Sequence, residues 1–467
     1  MLRLIKDNAF AFILFGIFTA GVLARPPLPV DETRYLTVAW EMWFSHDWVH
    51  LTYNYEPYHH KPPLLFWLIN IFWSIFGISR WAGTLPALLS SMAVIFLTGK
   101  LAEKLFPEDK NLPARSRLVL LGSLPFLIYG SLIMFDVMMT AWVLGAILFL
   151  LKLSEKRNLV SILGFGLCMG MGALTKGPVV GVYTLLPAIL APLWFSSQAR
   201  QKGYVSYYFE ILLAVLIAAL PILFWLVQTI EGKDGNFIYW LLWEQTAGRV
   251  TGNFSNAHGR PIYFYLPLLP VFLLPWILLP AFWAGLKKHL SSARENAGIR
   301  FLFFWIVPGF VVFSLISGKQ PHYLVPFFPG LIIALTFMLK DVREQTIKKI
   351  TLGMFAFFIV GHAIAYKKFL PLYDWRPIAA IVAQYPDKDW AYVRNYNGEF
   401  GFLARVEKNL TSTNLKGLQS WFKKHPDGMA VIRYKKPEEV AQYEQLFSMP
   451  YRSADHYAGV FRLKKRR

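Results

Sequence analysis

The chain is poor in cysteine and in charged residues. Its 467 residues include one cysteine, Cys168, which excludes an internal disulfide and a cluster of thiolate metal ligands. Only 16% of the residues are Asp, Glu, Lys or Arg, whereas an average soluble domain has about 25%. No GxxxxGK[ST], HExxH or Gly-x-Ser-x-Gly motif occurs, and no GxGxxG motif follows a predicted strand. These absences exclude a soluble globular enzyme, a P-loop nucleotide site and a disulfide scaffold.

Long apolar runs take the place of these features. Apolar residues make up 55% of the chain, and its mean hydropathy is +0.39. A helix needs roughly 20 mostly apolar residues to cross a bilayer. Eleven runs qualify as spans, near residues 8–24, 82–98, 118–134, 137–151, 159–174, 178–195, 207–229, 263–283, 301–316, 322–339 and 350–365. The run 62–77 is short and rich in Trp and Phe, which is typical of a helix that lies in the membrane interface.

The distribution of basic residues predicts the orientation of the chain. With eleven spans, the loops on the side of the N-terminus hold 20 of the 29 Lys and Arg residues of positions 1–365. Basic residues concentrate on the cytoplasmic side of membrane proteins. If 62–77 also crossed the membrane, the basic stretches KKHLSSAR and KDVREQTIKK would face outward. We therefore predict an all-α polytopic domain over residues 1–365, with its N-terminus inside and about eleven transmembrane helices plus interfacial helices.

Residues 366–467 differ from the rest of the chain. They carry 19 basic and 10 acidic residues. The stretches DWAYVRNY, MAVIRYK and YAGVFRLKK read as strands, and LKGLQSWFKKH and PEEVAQYEQLF read as short amphipathic helices. We predict a small C-terminal α/β domain on the outer side. It either docks an anionic acceptor or is a solvated accessory domain.

Single ionisable residues collect at the predicted outer face, in Pro-, Gly- and aromatic-rich contexts. They include Asp31, Glu32, Arg34, His59, His60, Lys61, Asp136, Lys176, Arg249, His258, Arg260, Lys319 and His322, with Tyr323 beside the last. Ionisable groups at membrane depth are usually functional, although a lone Lys near a helix end is more often an interfacial anchor. A carboxylate acts as a general base, and cations hold and stabilise a departing phosphate. The set favours an enzyme that transfers a group from a lipid-linked phosphate.

Six stretches of these loops resemble a known family. They are PVDETRYLTVAWEMW, HHKPPLLFWL, MFDVMMT, LTKGP, HGRPIYFYLPLLPVFLLPW and GKQPHYLVPFFPGL. Their order and spacing, over most of residues 20–335, resemble the bacterial branch of the protein O-mannosyltransferase superfamily. They look most like the 4-amino-4-deoxy-L-arabinose lipid A transferases and related enzymes of glycosyltransferase families 39 and 83. The resemblance implies a GT-C fold and an undecaprenyl-phosphate or other polyprenyl-phosphate sugar donor. It also implies transfer with inversion on the periplasmic side of the bacterial inner membrane.

The resemblance also implies roles for individual residues. Asp31 matches the family's first-loop catalytic carboxylate. Adjacent residues rarely point the same way, so we expect Glu32 to be structural, as a carboxylate at a helix N-terminus. Asp136 matches a second catalytic acidic position, near the acceptor or donor sugar, with a helix-cap aspartate as the alternative reading. Lys61 matches a lysine that grips the donor phosphate. Further contacts to the phosphate or its carrier are expected from Arg34, Lys176, Arg260, Lys319 and Tyr323. Arg34 lies three residues after Asp31, so we also expect it to orient that carboxylate through a salt bridge.

At one position the chain departs from these relatives. They usually have a glutamate before the lysine of KPP, where this chain has His60, and His258 matches a later histidine of the family. Imidazole suits zinc, but two ligands are too few for a closed structural site. The two histidines are either ligands of zinc or another divalent metal, or hydrogen-bonding loop residues. We expect the chemistry to require no cofactor.

A transporter or flippase for a lipid-linked or anionic substrate is the alternative function. Such proteins often contain internal repeats with broken helices, and no such symmetry is evident in the sequence. As partners we expect a polyprenyl-phosphate-linked sugar, membrane lipids and an acceptor that is a lipid, a glycan or a protein. Nucleic acid is not expected, because the basic residues form no contiguous recognition motif.

Overall fold

The structure is a computed structural model that describes residues 2–155, 158–195, 203–230 and 259–464. The chain divides into two compact units. The first contains Met1–Ala20, His59–Leu65 and Leu85–Phe358, and the second contains Gly21–Tyr58, Phe66–Thr84 and Ile359–Arg467. The C-terminal residues thus share a unit with two segments that precede residue 85. That residues 366–467 fold by themselves stays a prediction.

The chain before residue 370 is mainly helical. Its α-helices are α1 (Leu2–Ala24), α2 (Asp31–Ser45), α3 (Leu64–Phe76), α4 (Arg80–Leu105), α5 (Leu112–Leu121), α6 (Leu124–Tyr129), α7 (Phe135–Glu155), α8 (Leu159–Lys176), α9 (Val180–Ile189), α10 (Ala191–Trp194), α11 (Tyr204–Ile230), α12 (Leu268–Phe272), α13 (Pro280–Glu295), α14 (Ala297–Leu315), α15 (Phe328–Met338) and α16 (Glu344–Lys368). Short 3-10 helices lie at Ile262–Tyr265, Trp276–Leu278 and Pro321–Phe327.

Seven helices among the described residues are long and apolar enough to cross a membrane. They are Arg80–Leu105, Phe135–Glu155, Leu159–Lys176, Tyr204–Thr229, Ala297–Leu315, Pro321–Met338 and Glu344–Lys368. Shorter apolar helices occupy Ala9–Ala24, Leu64–Phe76, Val180–Ile189 and Ile262–Phe272. Large apolar side chains such as Leu216 and Phe224 are exposed on α11, as expected of a lipid-facing surface. The predicted class, a multi-pass α-helical membrane protein, is confirmed.

Three of the predicted spans are not single helices, so the sequence prediction was wrong there. The run 118–134 is divided between α5 and α6, the run 178–195 between α9 and α10, and the run 263–283 among several short helices. Prolines are the cause, because proline lacks the N–H that continues a helix and favours the first turn of the next. Pro125 and Pro192 occupy such first-turn positions.

Small residues allow close helix packing in the first unit. A Cβ atom on Gly166 would lie 2.6 Å from the carbonyl oxygen of Ala214, and one on Gly170 would lie 2.7 Å from that of Ala218. Both glycines lie on α8 and both carbonyls on α11. The G-x-x-x-G spacing therefore lets these two membrane helices approach closely.

Helix α2 and a short hairpin belong to the second unit. Strands β1 (Thr52–Tyr53) and β2 (Glu56–Pro57) are antiparallel, and Asn54 and Tyr55 between them have φ angles of 57° and 58°. Positive φ at both central residues is the type I′ geometry of tight hairpins. The N–H groups of Asn54 and Tyr55 donate to the Glu41 carboxylate at 2.8 and 2.9 Å. Glu41 thereby ties the hairpin to α2, and burial raises the pKa of its carboxyl to about 7.

The C-terminal part contains a five-stranded mixed sheet. Its strands are β3 (Trp390–Val393), β4 (Thr411–Thr413), β5 (Met429–Tyr434), β6 (Tyr443–Tyr451) and β7 (Ser453–Leu463), in the spatial order β4-β3-β5-β7-β6. Strand β3 is parallel to β4 and β5, and β7 is antiparallel to β5 and β6. The accompanying helices are α17 (Arg376–Val382), α18 (Gly401–Ala404) and α19 (Leu415–Lys424), with 3-10 turns at Leu370–Tyr373 and Pro437–Glu439.

Side chains alternate between the two faces of this sheet, as they do along any strand. Trp390 and Tyr392 pack in one apolar cluster with Ile378 of α17, whereas Ala391 and Val393 pack in another with Leu418 of α19. Both faces are therefore covered by a helix. The predicted α/β character of the C-terminal part is confirmed.

The helix predicted for PEEVAQYEQLF was wrong. A 3-10 turn covers Pro437–Glu439, and β6 begins at Tyr443. Strand β6 pairs with β7 from Tyr443↔Leu463 to Tyr451↔Ser453. Pairing with a neighbouring strand overrides a weak local helix preference.

Candidate active site

A buried ion pair joins two of the predicted site residues in the first unit. Asp136 lies in the first turn of α7 and Lys176 in the last turn of α8. The Lys176 ammonium donates to Asp136 Oδ1, and the two side chains are 9% and 4% exposed. Each charge also complements the dipole of its own helix at that end. Both readings of Asp136, as a helix-end carboxylate and as a substrate contact, are compatible with this place.

Two more predicted residues lie beside this pair. The Lys176 Nζ atom lies 4.8 Å from the centre of the Tyr323 ring. The backbone carbonyl of Tyr323 accepts a hydrogen bond from the Tyr183 hydroxyl at 2.8 Å. Lys61 lies over the ring of Phe135 at 5.8 Å, and its charge acts on Asp136. The structure thus brings together Lys61, Asp136, Lys176 and Tyr323, which are far apart in sequence.

His322 also belongs to this group. Its ring lies 5.0 Å from that of Tyr323, and it interacts electrostatically with Asp136. The charged groups that face the carboxylate therefore come from the KPP, LTKGP and KQPHY motifs.

Arg260 and Lys319 lie on two backbone segments that pair with each other. Gly259 and Gly318 form an antiparallel bridge, and Arg260 N donates to the carbonyl of Ser317 at 3.2 Å. The Lys319 ammonium donates to the carbonyls of Arg260 and Ile316 at 2.9 and 2.5 Å. Lys319 is 2% exposed, and desolvation lowers the pKa of its ammonium.

These two cations therefore differ in what they offer a ligand. Arg260 is exposed, and its guanidinium lies 4.7 Å from the centre of the Phe264 ring. Lys319 is turned inward and holds the paired backbone segments together. A phosphate contact by Lys319 stays a prediction, and Arg260 is the more accessible of the two.

Asp31 and Glu32 are adjacent but have opposite environments in the second unit. Glu32 is buried and accepts two hydrogen bonds from the Arg25 guanidinium, at 2.5 and 2.6 Å, and one from Leu28 N at 2.8 Å. Asp31 is exposed, and its Oδ1 atom accepts a hydrogen bond from the Tyr35 hydroxyl at 3.2 Å. Glu32 is structural, as expected from the sequence. Asp31 is the carboxylate that is open to a ligand.

Arg34 is held by a residue from the C-terminal sequence. Its Nη2 atom donates to Asn397 Oδ1 at 2.9 Å, and its guanidinium lies 6.0 Å from the centre of the Tyr53 ring. No ion pair between Arg34 and Asp31 occurs in the described part of the chain. The expectation that Arg34 orients Asp31 through a salt bridge was therefore wrong. Asn397 gave no sequence signal for this role beyond the turn-forming pair Asn-Gly.

The predicted metal ligands can be followed only in part. His258 lies outside the described residues. Within 2–155, 158–195, 203–230 and 259–464, no group of three or more His, Cys, Asp or Glu residues is arranged to hold a metal ion. His60 alone does not define a donor set, so we derive no metal-dependent step.

Comparison with solved structures identifies the fold class. The crystal structure of ArnT from Cupriavidus metallidurans bound to undecaprenyl phosphate matches with a TM-score of 0.78. The match covers 97% of this chain and 97% of that chain, at 17% sequence identity. The chain therefore has the GT-C fold.

Sequence comparison finds one matching family model and several similar proteins. The family model for dolichyl-phosphate-mannose-protein mannosyltransferase matches residues 60–225. Undecaprenyl phosphate-alpha-4-amino-4-deoxy-L-arabinose arabinosyl transferase 2 of Pseudomonas fluorescens (strain Pf0-1) is 30% identical over 348 residues, which cover 70% of this chain and 59% of the relative. The protein of the same name from Proteus mirabilis (strain HI4320) is 26% identical over 407 residues, which cover 82% and 70%.

The chain spans about three fifths of the length of the Pseudomonas fluorescens relative. Together with the fold, these matches confirm the resemblance found in the motifs. The chain thus has the GT-C fold and is similar in sequence to glycosyltransferases of families 39 and 83.

Proposed function

We propose that the protein transfers a sugar from undecaprenyl phosphate to an acceptor at the outer face of the membrane. The names of the relatives support 4-amino-4-deoxy-L-arabinose as the sugar and undecaprenyl phosphate as its carrier. Lipid A is the acceptor that we favour over a protein or another glycan. The enzyme is a polyprenyl-phosphate-sugar-dependent pentosyltransferase in this proposal.

The different environments of the two aspartates carry the proposal. Asp31 is exposed at the first turn of α2, whereas Asp136 is buried and neutralised by Lys176. A general base must be accessible to the group that it deprotonates. Asp31 meets this requirement, and Asp136 is suited to fix the cations around it.

The chemistry follows from these roles. Asp31 accepts the proton of the acceptor nucleophile, whose lone pair attacks the anomeric carbon. The bond between that carbon and the phosphate oxygen breaks, the configuration inverts, and the electron pair leaves on the lipid phosphate. Arg34, which lies on α2 together with Asp31, stabilises the negative charge that develops there, as preorganised cations do in phosphoryl chemistry.

We further propose that the protein resides in the bacterial inner membrane with its active site on the periplasmic side. The basic stretches KKHLSSAR and KDVREQTIKK support this orientation, because such stretches favour the cytoplasm. An accessible-cysteine experiment tests it. A cysteine at the exposed Asp387 should react with a membrane-impermeant maleimide in intact spheroplasts, in a background where Cys168 is replaced by Ser.

A transfer assay tests the activity itself. The purified protein is incubated with radiolabelled undecaprenyl phosphate-4-amino-4-deoxy-L-arabinose and lipid A. We expect label to move to lipid A, and Asp31→Asn to lower turnover about 10²- to 10⁴-fold while donor binding persists. Asp387→Asn is the matched control, because Asp387 is another exposed aspartate of the second unit.

Three outcomes would contradict the proposal. Full activity of Asp31→Asn removes the assigned base. Label released as free sugar identifies a hydrolase. Label that stays on the carrier, with counterflow of the intact lipid across a vesicle membrane, identifies a flippase.

We also propose that no metal ion is required. Prior treatment of the protein with a chelator should leave turnover unchanged. A loss of turnover that added zinc restores would instead support a metal site that includes His60 and His258.

A further inference from the structure

Helix α2 rests on a loop from the C-terminal part of the second unit. The loop comprises residues 396–402, with the sequence YNGEFGF, and we call it the seat loop. Thr33 Oγ1 donates to the carbonyl of Asn397 at 3.0 Å, and Thr37 Oγ1 donates to that of Gly398 at 3.1 Å. Phe402 N donates to Thr37 Oγ1 at 3.1 Å. Residues 33 and 37 share one helix face, so the contact runs along the helix axis.

Two glycines allow this close approach. A Cβ atom on Gly398, whose φ is +71°, would lie 2.9 Å from Arg34 Cα and 2.9 Å from the carbonyl of Thr33. A Cβ atom on Gly401 would lie 2.6 Å from Thr37 Cγ2. Carbon atoms do not approach this closely without displacement. The seat loop therefore fits α2 only with glycine at both positions.

The side chain of Asn397 is itself held in place. Its backbone N–H donates to Glu399 Oε2 at 2.6 Å, and its Nδ2 atom donates to the carbonyl of Asn395 at 3.2 Å. An amide whose nitrogen is engaged in this way directs its oxygen to the opposite side. That oxygen accepts the hydrogen bond from Arg34. Glu399 is fully buried and lies 3.7 Å from Arg433, so the support continues into the sheet.

A second contact fixes the same helix farther along. The Arg405 guanidinium lies 5.0 Å from the centre of the Trp40 ring and 4.1 Å from that of Phe402. The Trp40 indole N–H donates to the carbonyl of Val406 at 2.7 Å. Helix α2 is thus held at its first turn, where Asp31 and Arg34 lie, and again two turns later.

We propose that Asn397 is a positioning residue for donor binding, and that the seat loop makes the C-terminal part of the chain a component of the active site. Asn397 engages one N–H of Arg34 and leaves the other donors of its guanidinium for an anionic oxygen. This inference rests on the proposed function, because it assigns the donor phosphate as the ligand of Arg34. Asn397 acts through Arg34 and touches no substrate itself.

A double-mutant cycle on the full-length protein in detergent tests the inference. Asn397→Ala should raise the KM for the lipid-phosphate donor about ten-fold and change kcat less, because the lost bond has a charged donor. In an Arg34→Ala background the same substitution should have no further effect on KM. Asn395→Ala is the matched control, because Asn395 is an exposed asparagine of the same loop region. Equal losses of Asn397→Ala in both backgrounds would overturn the positioning role.

Hydrogen exchange tests, without any substrate, whether the seat loop supports α2. Gly401→Ala should increase exchange at the backbone amides of residues 33–38. Gly353→Ala, a helical glycine with open space around it, should not. Equal exchange in the two variants would overturn the seat loop as a support. If the wild type transfers no sugar, the proposed function fails, while the exchange result still decides whether the seat loop supports α2.

Discussion

Replacing Lys176 by methionine removes one partner of the buried ion pair. Lys176 and Asp136 are 9% and 4% exposed, and Lys176 lies against the Tyr323 ring. Methionine keeps most of the side-chain length, so the principal change is an uncompensated carboxylate at membrane depth. Breaking a buried pair in this way costs about 3–5 kcal/mol. Lys61 and His322 also act on Asp136, so we expect a loss at the lower end of this range.

Thermal unfolding in detergent measures this loss. The 17 tryptophans of the chain provide an intrinsic fluorescence signal. Lys104→Met is the matched control, because Lys104 pairs with Glu155, whose side chain is 60% exposed. Exposed pairs contribute about 0–1 kcal/mol.

The Lys104→Met control defines the result that would refute this reasoning. Equal destabilisation by Lys176→Met and Lys104→Met would refute the assignment of a buried pair that is costly to break. Combining Lys176→Met with Asp136→Asn should recover most of the stability, because neither buried charge then remains. A double variant as unstable as Lys176→Met would show that packing around Tyr323, rather than charge, is what Lys176 supplies.

Two further changes are predicted from the second unit. Burial raises the pKa of Glu41 from 4.5 to about 7, so the folded state binds this proton more tightly than the unfolded state does. The free energy of unfolding should therefore fall as the pH rises from about 4.5 to about 7. Glu41→Gln should remove this slope, of order 3 kcal/mol in total, from unfolding curves recorded between pH 4 and 8; an unchanged slope would contradict the assignment. Arg405→Lys should destabilise the protein by about 1–3 kcal/mol, because an ammonium cannot stack between Trp40 and Phe402 as a guanidinium does. Arg394→Lys, at a half-exposed pair in which Nη2 lies 3.9 Å from Glu439 Oε2, should stay within about 0.5 kcal/mol of wild type in the same melts, and equal losses would argue against the stacking.

The membrane architecture was largely predictable because hydropathy is a local property. Long apolar runs such as 207–229 and 350–365 correspond to the continuous helices α11 and α16. Runs that contain several prolines were assigned correctly as apolar but wrongly as single helices. Their interruptions are visible in the sequence at Pro267, Pro270 and Pro275. Greater weight on the missing N–H of proline would have divided the run 263–283 in advance.

The pairing of the site residues was not predictable in the same way. Motif order indicated Asp136, Lys176 and Tyr323 as candidates. No periodic pattern shows that Lys176 contacts Asp136, 40 positions away, or that Tyr183 donates to Tyr323, 140 positions away. The bond from Arg34 to Asn397 joins residues 363 positions apart. Proximity in the sequence suggests Asp31, three residues away, as a partner of Arg34. The fold instead supplies a neutral amide from the other end of the chain.

The neutral amide partner of Arg34 has a physical consequence for the proposed donor binding. A carboxylate paired with Arg34 would neutralise it and compete with the donor phosphate for the same guanidinium. An amide oxygen holds the guanidinium by one hydrogen bond and leaves its full charge for the ligand. The neighbouring carboxylate Glu32 is diverted to Arg25, so it does not neutralise Arg34 either. Among the described residues, helix α2 therefore presents an exposed carboxylate, Asp31, and an oriented cation, Arg34, that is not paired with it. The proposed transfer from a lipid phosphate needs both groups: one to accept a proton and one to stabilise the departing phosphate.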